Sequence, residues 1–157
     1  MKIEPAMHKD LGAIQALYEQ LYARMAQLQP QNFRPARQNG EFLMYMMLGE
    51  DSDILIARED GGRIVGFALV RCQNTPEYPS FIPRRYAVLM DLAVEESRRR
   101  QGVGRALLEA VKAWARERGA EFLELGVLSQ NLPAIGLYES FGFSESRRVM
   151  ELELGGS

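Results

Sequence analysis

Val94-Glu95-Glu96-Ser97-Arg98-Arg99-Arg100-Gln101-Gly102-Val103-Gly104-Arg105 is the most informative stretch of this 157-residue chain. A β-type run, Tyr86–Val94, leads into it, and a helical run, Gly104–Arg118, leads out. The helical run carries Leu107, Leu108, Val111 and Trp114 on one face and stops at Gly119. The stretch is therefore a strand-to-helix turn. Gly102 and Gly104 allow a ligand close to the backbone. Unpaired amides and the positive end of the helix dipole suit a phosphate or pyrophosphate, and Arg99, Arg100 and Arg105 can add charge-assisted contacts. A bare Gly-x-Gly is also a common turn among solvated arginines. Two better-defined phosphate motifs do not fit: a dinucleotide fingerprint needs glycine where Leu107 stands, and a P-loop needs Gly-Lys-Ser/Thr.

Downstream, Phe122–Val127 reads as a strand and Pro133–Ser140 as a short helix, with Asn131 near its start and the Gly142 turn at its end. Tyr138, taken alone, reads as a half-buried packing tyrosine. Upstream, Lys2–Pro5 reads as a first strand. Asp10 is a plausible cap for a helix carrying Leu11, Ile14, Leu17, Tyr18, Leu21, Tyr22, Met25 and Leu28 at helical spacing. A second helix spans about Gln38–Leu48 and stops at Gly49. Asp53–Arg58 and Arg63–Cys72 form a hairpin around Asp60-Gly61-Gly62. Gln73–Arg85 is proline-rich and reads as a structured loop, and Arg147–Leu154 as a closing strand. The order predicts one mixed α/β (α+β) domain over 1–154, followed by a flexible tail at 155–157.

Composition narrows the function classes. With 46% hydrophobic and 25% charged residues the chain is globular rather than disordered. Nineteen basic against 21 acidic residues give a net charge of −2, which disfavours bulk nucleic-acid binding. One cysteine, Cys72, and one histidine, His8, leave no cysteine zinc site, no His-rich metal cluster and no internal disulfide. No metal is expected. No apolar run approaches the roughly 20 residues of a membrane span, and the N-terminus lacks a signal-type segment, so the expected compartment is the cytoplasm.

Taken together, Arg99-x-x-Gly102-x-Gly104 before a long helix, a strand, and then Asn131-x-x-Ala134-Ile135-x-Leu137-Tyr138-Glu139-x-x-Gly142-Phe143 closely resemble the GNAT superfamily of acyl-CoA-dependent N-acetyltransferases. The detailed match runs over Asp91–Phe143. The resemblance implies a mixed, mostly antiparallel central sheet flanked by helices, with the strands at Tyr86–Val94 and Phe122–Val127 splayed into a cleft. It implies that pantetheine pairs with Leu92, Ala93 and Val94. The pyrophosphate of acetyl-CoA would rest on Arg99, Arg100, Gln101, Gly102, Val103, Gly104 and Arg105. Asn131 would hold the pantetheine arm and Tyr138 would protonate the leaving thiolate. A homodimer is expected by analogy. A non-catalytic acyl-CoA sensor on the same fold is the alternative.

Acyl transfer to an amine also needs a base. Asp91 is the first choice, because a carboxylate inside the apolar run Val88–Val94 costs free energy unless it is paired or faces a wet cleft. Strand alternation sets Asp91 and Ala93 opposite Met90, Leu92 and Val94. An Asp bonded to a neighbouring loop is an equal alternative. Relatives that acetylate protein N-termini commonly carry Glu where this chain has Gly126, so Glu124 is the fallback, with a water relay behind it. Cys72 reads as a packing or surface thiol, His8 as solvated, and Met44, Met46 and Met47 as core or pocket wall. Arg84, Arg85 and the Arg98–Arg100 run can meet acidic partners, the run being better explained by CoA phosphates. Gln29–Phe42 and Gln73–Arg85 are expected to wall the acceptor side. Arg34, Arg37, Arg84 and Arg85, with Glu77 the one acid, would favour a carboxylate-bearing or apolar acceptor over a polyamine, with Tyr78, Phe81 and Tyr86 as aromatic surface.

Overall fold

Ile54-Leu55-Ile56-Ala57 alternates between two apolar layers, as a strand buried on both faces must. Ile54 and Ile56 face one layer with Phe67 and Leu69, and Leu55 and Ala57 face the other with Ala68 and Val70. The computed structural model, which describes residues 1–155, covers these layers with helices. The strands are β1 (Lys2–Pro5), β2 (Ser52–Arg58), β3 (Ile64–Asn74), β4 (Arg85–Val94) and β5 (Phe122–Leu125). The helices are α1 (Leu11–Leu28), α2 (Gly40–Leu48), α3 (Val103–Glu117) and α4 (Leu132–Phe141), with short 3₁₀ turns at His8–Asp10 and Glu96–Arg98. The sheet order is β1-β2-β3-β4-β5, antiparallel except for the parallel β4–β5 pair that α3 connects. This is the mixed, mostly antiparallel architecture that the sequence predicts. Among the described residues no helix is long and apolar enough to cross a membrane.

One layer sets Ile14, Leu17 and Tyr18 of α1 and Leu43 and Met46 of α2 on the sheet. The other sets Leu107, Leu108, Val111 and Trp114 of α3 beneath it, with Leu137, Tyr138 and Phe141 of α4 at its margin. Cys72 is buried in this layer as a free thiol. The far end of α3 is pinned to β2, where the Trp114 indole N–H donates to Asp53 at 3.0 Å and Arg118 stacks 4.0 Å over the indole.

Several expectations change. Asp10 does not cap α1: its carboxylate accepts from the Met7 amide at 2.9 Å and from Arg58 at 3.0 Å. Helix α2 begins at Gly40, because Asn39 caps the amides of Glu41 and Phe42. The loop expected at Gln73–Arg85 is shorter, since Gln73↔Tyr86 and Asn74↔Arg85 extend the β3–β4 ladder before the prolines begin. Strand β5 stops at Leu125 rather than Val127. The closing strand expected at Arg147–Leu154 is absent: residues 144–155 are exposed and pair with no strand. Gly156 and Ser157 of the expected tail lie outside the described residues.

The sheet opens between β4 and β5. Their register runs only from Tyr86↔Phe122 to Leu89↔Leu125. Beyond it β4 continues through Met90–Val94, held on its other edge by β3 at Leu69, Ala68, Phe67 and Gly66. At Gly66 the N-terminal turn of α3 crosses the sheet so closely that a Cβ would lie 3.0 Å from the Ala93 carbonyl oxygen and 3.1 Å from Leu107 and Val103 side chains. Gly66→Ala is expected to cost about 1–3 kcal/mol by overpacking, measured by urea unfolding. Gly61→Ala, in open space, is the control expected to change little.

Candidate active site

The residues expected to hold and act on a ligand come from three elements that meet where the sheet opens. The first is the unpaired half of β4. A β-bulge at Met90 interrupts its register: Leu69 faces Asp91 while Val70 already faces Leu89. The bulge corrects the simple alternation. Met90 joins Ala93 on the α1–α2 side, whereas Leu89, Leu92 and Val94 pack on the α3 side. Asp91 thereby turns toward α1, where it accepts a 2.7 Å hydrogen bond from the buried Tyr18 hydroxyl.

Asp91 is largely withdrawn from water, and burial raises its pKa, with the Tyr18 hydrogen bond working in the opposite direction. Its charge reaches three phenols. Burial and then Asp91 raise Tyr18 and Tyr22 on α1, and the same two causes push Tyr138 on α4 up to about 12. The Tyr22 hydroxyl accepts from Gln38 Nε2 at 2.7 Å. Tyr18 and Tyr22 are the members of this site that the sequence reading used only as core residues. The available signal was their i, i+4 placement on a buried stripe, since a buried tyrosine hydroxyl needs a polar partner.

The second element is the start of α3. Gly102 occupies the N-cap at φ +84°, in the left-handed region, and no side chain caps the helix. Ala106 is the first amide to bond back into the helix, at the Gly102 carbonyl, so the amides of Val103, Gly104 and Arg105 have no intrahelical acceptor. Gly104 admits Leu137 of α4, whose Cδ2 would stand 3.0 Å from a Cβ. Arg99, Arg100 and Gln101 are exposed beside this turn, and the Arg105 guanidinium lies 5.5 Å from the Phe141 ring. The Arg98–Arg100 run does not act as a unit: Arg98 pairs with Glu59 at 3.0 Å and belongs to the scaffold.

The third element is the β5–α4 connection. Asn131 caps α4 through its side-chain oxygen, which accepts from the Ala134 amide at 3.4 Å. Its side-chain N–H groups have no acceptor among the described residues. Tyr138 lies about two turns further along the helix, T-stacked on Phe143 at 5.8 Å. Gln29 at the end of α1 donates to Gln130 at 3.0 Å and ties the α1 side to this connection.

Other expected residues are drawn elsewhere. Glu124 on β5 is engaged by Arg147 at 2.9 Å, and Gly126 is exposed. The segment expected to wall the acceptor divides in two. The α1–α2 connection does reach this region, through Gln29 and Gln38. Gln73–Arg85 does not. Arg85 is spent on Asp51 and the Arg118 carbonyl. Tyr86 is stacked on Phe122 at 4.8 Å with Arg84 4.1 Å from the same ring. Tyr86 stands five residues along β4 from Asp91, about 17 Å in an extended strand. Tyr78 and Phe81 pack on each other in the exposed turn beyond.

The sequence over residues 13–143 matches the profile of the acetyltransferase (GNAT) family. A Bacillus subtilis (strain 168) protein described as an uncharacterized N-acetyltransferase, YhfO, is 33% identical over 148 residues, 92% of this chain and 91% of that protein. Among solved structures, a mutant of the BH1408 protein from Bacillus halodurans superimposes with a TM-score of 0.93 at 27% identity, covering 98% of this chain and 99% of that one. The aminoglycoside N-acetyltransferase AAC(6')-Iy, in complex with CoA, shares the fold with a TM-score of 0.73 at 20% identity, covering 98% of this chain and 99% of that one.

Asp91 has a consequence for stability. Its raised pKa means that the folded chain holds this proton more tightly than the unfolded chain. The group therefore favours folding most below the ordinary aspartate pKa, and that contribution is lost as pH rises through the folded-state value. Asp91→Asn, which keeps an acceptor for Tyr18, is expected to be more stable than the parent at pH 7 by on the order of 1 kcal/mol. The difference should shrink toward pH 4. Urea unfolding of both proteins between pH 4 and pH 8 checks the sign.

Proposed function

Because the chain belongs to the GNAT acetyltransferase family and is an acyltransferase, we propose that it moves an acetyl group from acetyl-CoA to a primary amine of a small molecule or peptide, by direct attack in a ternary complex. The observation that carries this reading is the half-strand Met90–Val94. One edge of it is left open by β5, and it runs from the Asp91–Tyr18 pair toward the free amides of α3. An extended amide-bearing arm suits an unpaired strand edge, and a pyrophosphate suits three free amides beside exposed arginines. That the fold accepts CoA is supported by its relative AAC(6')-Iy, which holds CoA.

In this reading Leu92, Ala93 and Val94 pair with the pantetheine arm, and Asn131 donates to it through its free side-chain N–H groups. Arg99–Arg105 hold the phosphates. Acetyl-CoA supplies the thioester carbonyl. A β4 amide near Leu92 donates to the carbonyl oxygen as the neutral amine adds and charge develops there. Asp91, its affinity for a proton raised by burial, accepts the amine's proton directly or through water. Tyr138, fully protonated at neutral pH, donates to the sulfur as the carbon–sulfur bond breaks and the thiol departs. No covalent enzyme intermediate is needed, consistent with the burial of Cys72 in the α3 layer.

In this reading the α1–α2 connection walls the acceptor side, with the amides of Gln29 and Gln38 and the arginines at 34 and 37, and the arginines at 84 and 85 do not contribute. Half of the positive charge behind a carboxylate-bearing acceptor therefore remains, and the panel to test sets such amines beside small neutral amines and peptide N-termini. Tyr138→Phe is expected to lower kcat about 100-fold while the Kd for acetyl-CoA stays within about twofold. Thiol release against an amine panel, together with calorimetric titration, reads both quantities. Unchanged kcat would remove Tyr138 from the proposed role.

A further inference from the structure

The two carboxylate oxygens of Asp91 stand in different surroundings. Oδ2 accepts from the Tyr18 hydroxyl at 2.7 Å. Oδ1 accepts from no group among the described residues. It is not sealed in the core, because among the described residues no fully buried side-chain oxygen or nitrogen is without a partner. Oδ1 is therefore the oxygen that water or an amine can reach. Tyr18, in contrast, is fixed. It lies near the middle of α1 and is 0% exposed, with its ring centre 4.5 Å from that of Phe67 on β3 and 5.3 Å from that of Tyr22.

No cation balances this carboxylate. Within reach of its charge lie Tyr18 and Tyr22 of α1 and Tyr138 of α4. Gln38 of the α1–α2 connection, beside the two α1 phenols, is uncharged. β3 sets Leu69 opposite Asp91. On β5 the acid Glu124 faces Val88 and is engaged by Arg147. No lysine, arginine or histidine among the described residues acts on Asp91. A buried anion without a counter-charge is costly. A tyrosine that needed only an acceptor would be satisfied by a neutral amide or a backbone carbonyl. The charge at position 91 therefore calls for a use beyond holding Tyr18 in place.

We propose that Tyr18 is a positioning residue for the base: its buried hydroxyl holds Asp91 by Oδ2 and leaves Oδ1 free to take the proton of the acceptor amine. The inference rests on the reading of Asp91 as that base. Tyr18 acts on Asp91 in two ways. It fixes the carboxylate from a rigid helix, so that one oxygen keeps a constant direction. Its hydrogen bond also goes to the charged form and favours it, against the burial that raises the proton affinity of the group. Without Tyr18 the carboxylate would be free to turn, and it would be protonated over a wider range of pH.

The test reads Asp91 itself before it reads activity, on the full chain labelled with ¹³C at the aspartate carboxyl and tyrosine Cζ carbons. In an NMR pH titration of the parent, the Tyr18 Cζ signal is expected to move with the Asp91 midpoint. This arm needs no variant and stands even where Tyr18→Phe folds poorly. In Tyr18→Phe the Asp91 midpoint is expected to rise by about one pH unit. The acidic limb of kcat/KM for the amine, read by thiol release, should move up by the same amount, with KM for acetyl-CoA within about twofold of the parent. A Tyr18 signal that ignores the Asp91 midpoint would overturn the inference, and so would a midpoint that Tyr18→Phe leaves in place. A midpoint that rises while the acidic limb stays would uphold the tie between the two residues and remove Asp91 as the base, which separates failure of this inference from failure of the proposed mechanism.

Discussion

Between Leu89 and Val94 one strand keeps its neighbour on one side and loses it on the other, and the geometry of the site depends on that loss. β3 holds β4 along its whole length, so the open half of β4 cannot move to find a new partner. β5 leaves the sheet after Leu125. The backbone groups on the open edge must be met by water or by a ligand that offers an extended chain of donors and acceptors. The bulge at Met90 adds a second effect at the same point. It rotates the strand so that Asp91 points to α1 while Leu92 and Val94 continue the α3 layer. The end of β5 opens the cleft, and the bulge at the same point aims the carboxylate.

The electrostatics follow from that placement. A carboxylate drawn out of water between Tyr18, Tyr22 and Tyr138 raises the pKa of each phenol beyond what burial alone would do, and burial raises its own. The phenols stay protonated and the carboxylate gains proton affinity, as the proposed donor and base roles require. At the other end of β4, α3 begins without a side-chain cap at a left-handed glycine. An exposed Ser or Asp at that position would satisfy the amides and occupy the place proposed for the phosphates. The site is thus built from groups that folding leaves unsatisfied, and the remaining charged residues mostly satisfy one another. Arg98 with Glu59, Arg58 with Asp10 and Arg85 with Asp51 are examples.

Much of this was legible in the sequence because it is local. The Gly102-x-Gly104 turn, the amphipathic α3 and the Asn131-to-Phe143 stretch are each set by near neighbours, and their order is enough to identify the family. What was not legible depends on long-range register. Alternation alone sets Met90 with Leu92, and only the pairing with β3 reveals the bulge. Tyr18 reads as core from its spacing, and its hydroxyl acquires a role only when Asp91, 73 residues away, is brought to 2.7 Å. Arg85 and Tyr86 read as surface residues near a site, yet the β3–β4 ladder carries them to the wrong end of the strand. Arg147–Leu154 has the alternation of a strand, but alternation cannot say whether the fold sets a strand beside it to pair with, and here it does not.

The central claim is that the open half of β4 and the start of α3 form one ligand site. Titration of ¹⁵N-labelled protein with CoA, followed by backbone amide chemical shifts, tests it most directly. The account predicts that the largest shifts fall on Leu92–Val94 and on Gly102–Arg105 together, saturating at one common Kd. Binding that leaves both segments unshifted, or shifts that centre on the α1–α2 connection instead, would contradict it.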